Sequence, residues 1–400
     1  MFTVAIPDLA RGNIQSSLPP TSDNPKPDTY TSYIMGFDSG SFAFSVCHMP
    51  AKMPDDALER FAARKAPPLQ YVKDKEELGW VTGRHLLDTR IDDETAYMGG
   101  YLHLVLRSAQ RKIPPSLLKA ECKMAEFAMM EGNNGAFLTR KERKKIKEEV
   151  QDRLMEGMPP SLAGTPFVYD PNNDLLYVGT FSRAKVDAFI YFFYDTVGIE
   201  PVPLSPELIA EQLLGYSIDS IESLSFSPNR AEGDEEGGLG RDFATWIWYF
   251  QDVESGTFEV PHLGEFGVMI DGPMCFATEG PGGALESVIR KGTPTNSAEA
   301  KASLMVGKKI MKAKYTMAKE KQTWVFNLDA ATFNFQAVTL PDGEELDAGS
   351  HFQERMYFID TMRRAFLHLF DDFLKRVNDP VEADALTAKI HAWVGNLKNL

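Results

Sequence analysis

Phe137 to Pro160 reads FLTRKERKKIKEEVQDRLMEGMPP. Thr139-Arg140-Lys141-Glu142 has the form of a capping box, in which the Thr hydroxyl accepts from the amide three residues on and Glu142 reaches back to the Thr amide. A helix therefore starts here. At roughly 100° per residue, Arg140, Arg143, Lys144 and Lys147 share one band, and Ile146, Val150 and Leu154 form a neighbouring stripe that can be buried. One edge packs and the other carries charge. Gly157 and Pro159-Pro160 stop the helix.

Upstream, Pro114-Pro115-Ser116 opens a second helix, with Ser116 as N-cap and Leu117, Leu118, Met124, Ala125 and Ala128 on its apolar side. Gly132-Asn-Asn-Gly135 separates the two, so they are expected to form an antiparallel helical hairpin over residues 112–160. Before the hairpin, Phe42, Phe44 and Val46 alternate as in a half-buried strand. Met53 to Arg64 reads as a helix with Leu58 and Phe61 inward, and Tyr101 to Arg107 as a strong strand. After it, Pro166–Tyr169 and Leu175–Val178 flank the turn Asp170-Pro-Asn-Asn173 as a β-hairpin. Ser182 then opens a helix through Phe189, Ile190 and Phe193. Residues 35–111 and 161–205 thus make a central α+β domain from which the helical hairpin projects.

Residues 206–280 are harder to read. They hold the acidic stretch Ala231 to Gly240 and the aromatic run Phe243 to Phe250, either a buried element of a second core or a platform for stacking bases. Residues 281–400 are expected to form a separate C-terminal α+β domain. Asn296 or Ser297 caps a helix ending near Gly307. Met311, Ala313, Tyr315 and Met317 then alternate with Lys312, Lys314 and Thr316, a strand with one apolar and one basic face. Strands at Thr323–Leu328 and Thr332–Thr339 complete a meander. Ser350 and Gln353 form a capping pair for a long helix whose inner positions are Phe352, Met356, Ile359, Met362, Phe366, Phe370 and Phe373. Leu367 and Leu369 are left over for a partner subunit.

Composition bounds the function. The chain has 400 residues, 43% hydrophobic and 25% charged, as in ordinary globular proteins. No run approaches the ~18 apolar residues of a membrane span, and the N-terminus lacks a signal-peptide pattern, so a cytoplasmic protein is expected. Residues 1–34, rich in Pro, Ser and Asn, read as a disordered extension. Cys47, Cys122 and Cys275 lie far apart and read as buried free thiols. The net charge of −15 is uneven: counting Lys and Arg against Asp and Glu, residues 101–150 carry +5 and residues 201–300 carry −13. Exposed charges more than about 10 Å apart are largely screened, so the local surplus around the hairpin decides what binds there.

Several stretches together resemble the RdgC family of recombination-associated proteins, particularly its longer members. They are MGFDSGSFAFSV, LGWVTGRHLLDT, RKIPPSLLKAECKMAE, FLTRKERKKIKEEVQDRL, PVPLSP and VIRKGTPTNSAEAKASLMVGKKIMKAKYTMAKEKQTWVFNLDAATFNFQAVTLP, in the same order from about Met35 to Val377. The resemblance implies a nucleoid-associated, non-catalytic protein without cofactor or metal that binds double-stranded DNA with little sequence preference and restrains RecA. It also implies a ring-shaped homodimer closed through the hairpin and the C-terminal domain. Arg290, Lys291, Lys308 and Lys312 would lie near the hole of that ring, with Arg143 and Lys147 close by. The residues add Arg140, Lys144, Lys309 and Lys314 to the candidate DNA contacts, because cations on extended elements suit a phosphate backbone. Two features depart from the family pattern: Pro159-Pro160 at the end of the hairpin, and the acidic stretch.

The competing class is a metal-dependent exonuclease, which needs carboxylates converging on a divalent cation. The candidates are Asp88, Asp92, Asp93 and Glu94, or Asp234, Glu235 and Glu236, all in polar loops. Gly280-Pro-Gly-Gly283 lacks the GK[ST] ending of a phosphate-binding loop, and no HExxH is present.

Overall fold

The computed structural model describes residues 36–132, 136–221, 223–229, 238–278, 286–344 and 347–396. The expected extension at 1–34, the Asn133–Gly135 link and nearly all of the acidic stretch lie outside the described residues. Strand β1 (Phe42–His48) follows from the alternation seen in the sequence, and helix α1 (Ala57–Ala63) comes next. Then come β2 (Glu77–Thr82), the single turn α2 (Asp93–Ala96), β3 (Tyr97–Met98) and β4 (Tyr101–Gln110). Helices α3 (Pro115–Gly132) and α4 (Arg140–Gly157) interrupt the sheet, which resumes with β5 (Ser161–Asp170) and β6 (Leu175–Val178). Helix α5 (Arg183–Val197), β7 (Val202–Pro203) and the short α6 (Pro206–Leu208) close the first half.

The second half runs α7 (Leu239–Val253), β8 (Thr257–Val260), β9 (Gly264–Ala277), β10 (Glu286–Ile289) and α8 (Ala298–Met305). It ends with β11 (Lys309–Lys319), β12 (Gln322–Asp329), β13 (Asn334–Thr339), α9 (Ala348–Asn378) and α10 (Pro380–Gly395). All strand pairs are antiparallel, in the order β10-β9-β11-β12-β13-β1-β6-β5-β4-β2. The α+β class with antiparallel sheet holds.

The C-terminal half-sheet is not separate from the first. Phe42 and Phe44 of β1 pair with Val338 and Phe335 of β13, whereas Ser45 to His48 pair with Val178 to Leu175 of β6. One strand thus serves both halves, and residues 33–400 form one compact unit. Helix α9 braces the joint. Its Arg355 donates to the Phe37 and Gly40 carbonyls at 2.6 and 3.0 Å, and Phe352 stacks on His103 of β4 at 5.0 Å. Asp38 Oδ1 lies 3.4 Å from His103 Nδ1 in the same place. Burial pushes the Asp38 carboxyl up to about 7, against the pull of Arg355, and pushes His103 down to about 4.

The inner stripe of α9 is buried at every expected position from Phe352 to Phe373. Its cap differs. The carboxylate of Asp347 accepts from the Gly349 and Ser350 amides and from the Ser350 hydroxyl, so Ser350 lies inside the first turn. Leu369, expected to be left over, is 1% exposed within its own chain. Residues 206–280 supply α7, β8 and β9 to this half: Phe243, Trp246, Trp248, Tyr249 and Phe250 are all buried in a helix. They cannot form a base-stacking platform, because their faces are covered by Phe366, Phe370, Phe373 and Trp393. In the central half, Trp80 packs among Phe61, Phe167 and Phe189 and donates to Thr196 Oγ1 at 2.9 Å. All three cysteines are free, but only Cys47 is buried; Cys122 and Cys275 are half-buried. Among the described residues no helix is long and apolar enough to cross a membrane.

Candidate nucleic-acid interface

Helix α4 starts as its capping box requires: Thr139 Oγ1 accepts from the Glu142 amide at 3.3 Å, and Glu142 Oε2 accepts from the Thr139 amide at 2.7 Å. Ile146 and Val150 are buried with Leu138 against Leu118, Cys122, Ala125 and Met130. Arg153 pairs with Glu121 at 2.7 Å, and farther along Arg143 adds to the charge that, after the Lys123 hydrogen bond, holds Glu126 below the usual carboxylate range. The two helices therefore run antiparallel. Arg111 at their base donates to Met158 O and to Val72 O, fixing the exit of α4 to the central half-sheet.

Helix α3 departs from expectation. Pro115 takes the first helical position, so Ser116 is not its cap, and its inward row is Leu118, Cys122 and Ala125, spaced by four and three. No residue of α3 is fully buried, and Met124 (68% exposed) and Phe127 (59%) face out, as does Ala128.

The other side of α4 is cationic. Arg140, Lys141, Arg143, Lys144, Lys145 and Lys147 are all exposed. Lys144 and Lys145 have distant i,i+4 partners, Glu148 and Glu149, each at 3.6 Å. Arg140, Lys141, Arg143 and Lys147 form no ion pair among the described residues. Residues 140–147 carry +5 and residues 148–157 carry −3. This is the reverse of what the helix macrodipole favours, each misplaced charge costing about 0.3–1 kcal/mol when exposed and unscreened. The arrangement does not serve helix stability.

The cations of the C-terminal half are held differently. Lys309 is 2% exposed: its ammonium lies 2.6 Å from Asp242 Oδ1 and 2.9 Å from Ser223 Oγ. Lys308 is also buried and donates to Ser287 Oγ at 2.7 Å. Lys309 cannot meet a phosphate without leaving a buried partner, and Lys308 is itself buried while bonded to Ser287, so both drop out of the candidate set. A register shift between Ile310 and Lys312 against β9 interrupts β11, whose alternation holds only after this bulge. Lys312 and Lys314 do face outward, but pair with Asp329 at 2.9 Å and Asp271 at 3.2 Å. Arg290 and Lys291 are exposed at the end of β10. The two basic elements sit on different halves of the sheet, α4 between β4 and β5 and β11 between β9 and β12.

Three carboxylates of the 88–94 loop, Asp88, Asp92 and Glu94, are engaged locally. Asp88 accepts from Thr82 Oγ1 and the Arg90 amide, and Asp92 caps α2. Arg90 pairs with Asp92 and Glu94 at 2.6 and 2.7 Å, its hydrogen bond holding Asp92 below the usual carboxylate range. Among the described residues, His368, Asp371 and Asp372 on α9 are the group close enough to hold a metal ion. The ammonium of Lys375 stands 2.7 Å from Asp371 and 3.2 Å from Asp372, already meeting that charge. Asp234 to Glu236 lie outside the described residues.

A family model described as "Putative exonuclease, RdgC" matches residues 45–214. Across these residues the chain is similar to the RdgC family. The match takes in the central half-sheet from within β1 onward and both hairpin helices. The recombination-associated protein RdgC of Pseudoalteromonas atlantica is 26% identical over 125 residues, which cover 30% of this chain and 40% of that relative. The chain thus aligns with less than half the length of this curated RdgC protein.

Proposed function

We propose that this protein binds double-stranded DNA without reading its sequence and acts in recombination by covering the duplex and so restraining RecA. The observation that carries the DNA reading is the charge reversal of α4: an exposed +5 segment, much of it unpaired, placed where it opposes the helix dipole. A polyanion supplies the countercharge that the helix lacks, and releasing the counterions of a phosphate backbone favours binding regardless of base sequence. Arg140, Arg143, Lys144 and Lys147 are the primary contacts, with Arg290, Lys291, Lys312 and Lys314 secondary.

The family resemblance adds a nucleoid-associated homodimer closed around the duplex, for which α3 offers a face. A helix with no buried residue, exposing Met124 and Phe127, has apolar surface to cover. The Leu367 and Leu369 surface does not serve this purpose, since Leu369 is already covered. The exonuclease reading is favoured by the printed description of the family model. Against it, the loop carboxylates Asp88, Asp92 and Glu94 are committed to local partners.

The test is a titration of two unrelated duplexes with wild type and with the double variant Arg143→Ala, Lys147→Ala at several salt concentrations. Each lost phosphate contact should lower the slope of log affinity against log salt by about 0.9. A parallel incubation with Mn²⁺ should shift DNA without cutting it, and wild-type affinity and slope in the double variant would sink the reading.

A further inference from the structure

Phe137 is 87% exposed, the most exposed large apolar side chain among the described residues. It is followed at once by Leu138, which is buried against Ile146 and Val150 and so accounts for the apolar anchor that the helix start needs. Phe137 is left without that role. Arg140, Lys141 and Lys144, three, four and seven residues on in the chain, are all exposed, and Arg140 and Lys141 form no ion pair among the described residues. Phe127, the other exposed phenylalanine of the hairpin, has the ammonium of Lys123 5.7 Å from its ring centroid. At 87% exposure the ring of Phe137 is open to solvent.

An exposed aromatic ring just ahead of a cationic helix start is suited to a nucleic acid, whose backbone meets the cations while a base meets the ring. A protein partner would need an apolar pocket ringed by acids to match both. In an intact duplex the bases are stacked on one another and closed to such a ring. They become open where stacking is interrupted, at a gap, a bulge or an end, or where an apolar wedge parts a step. We propose that Phe137 stacks on an unstacked base, so that the hairpin tip favours gapped or bulged duplex over continuous duplex. This rests on the DNA reading of α4 but concerns a separate contact: the cations supply phosphate neutralisation, and Phe137 supplies a preference for interrupted stacking.

The experiment uses the full chain and two hairpin-capped duplexes of equal length, one continuous and one with a one-nucleotide gap flanked by 2-aminopurine. Wild type should bind the gapped probe roughly tenfold to a hundredfold more tightly and change its 2-aminopurine fluorescence. Phe137→Ala should lose that preference at an unchanged salt slope, and Phe137→Trp should keep it. Because the side chain is exposed, both variants should fold, and their melting curves check this. Equal wild-type affinity for the two probes overturns the proposal while leaving the phosphate reading intact. An unchanged preference in Phe137→Ala overturns it too, as does a variant that changes only sedimentation, which would assign Phe137 to contact with a second copy. Failure of wild type to bind either probe overturns both readings.

Discussion

Lys147 on α4 and Lys309 at the head of β11 are the same residue type, each in a basic run, and they do opposite things. Lys147 stands on a hairpin in which, among the described residues, only Leu138, Ile146 and Val150 are fully buried, so its chain stem has little to be drawn into and its charge stays in solvent. Lys309 begins a strand in the largest core of the molecule, and its ammonium is buried on Asp242. A charge in a thin element is available to a ligand. In a thick one it must be paired internally, because an unpaired buried charge costs several kcal/mol. Counting cations along a sequence therefore overstates a binding surface by those whose acids arrive from elsewhere in the fold.

The comparison can be broken most forcefully at the buried pair. Asp242→Ala removes the opposite charge from the buried Lys309 ammonium and should lower unfolding stability by about 3–5 kcal/mol in a urea titration. The salt slope for DNA should not move. A changed slope with little loss of stability would return Lys309 to the binding surface.

Thinness itself is tested by Ile146→Ala, which removes a third of the buried hairpin core. The cost should be about 2–5 kcal/mol, felt as lost hydrogen-exchange protection in α3 and α4 while the Trp80 core keeps its own. DNA affinity should fall with the hairpin.

Asp38 and His103 give a pH-dependent form of the same burial rule. Asp38, raised to about 7, contributes stability that is present at low pH and lost as pH rises through about 7. His103, lowered to about 4, contributes stability present above its unfolded value and lost as pH falls through about 4. Between about pH 4 and 6.5 the two slopes oppose one another, so the melting temperature of wild type should be nearly flat there. His103→Gln should make it fall as pH rises, and Asp38→Asn should make it rise. Parallel curves for all three proteins would show that the pair does not titrate as a buried unit.

The finest distinction is between the two exposed basic surfaces. Arg143→Ala with Lys147→Ala should lower the salt slope by about 1.8 per subunit. Lys312→Ala with Lys314→Ala should lower it by less, since Asp329 and Asp271 already neutralise those lysines and are left unpaired by the change. Equal effects would mean that DNA displaces both carboxylates.

What was legible in the sequence was local. Thr139 and Glu142 meet within one turn of backbone, and the inner stripe of α9 repeats at the helical period, so both could be read from spacing alone. Where one element offered rival signals, reading failed: Asp347, not Ser350, caps α9 because its carboxylate accepts from the Gly349 and Ser350 amides and so starts the helix three residues earlier. The run Phe243 to Phe250 showed no period because α7 is buried nearly all round, between β9, β11 and the C-terminal helices, and an element covered on every side has no polar face to mark its turn.

By itself the sequence determined the helices of the hairpin, the apolar faces of the strands and the place where positive charge accumulates, because each depends on residues a few positions apart. The tertiary structure alone decided that β1 belongs to two half-sheets at once and that Asp242 and Ser223 meet the Lys309 ammonium in the core. Those outcomes depend on segments far apart in the chain that meet only when their apolar faces are buried together, and no local pattern records the meeting.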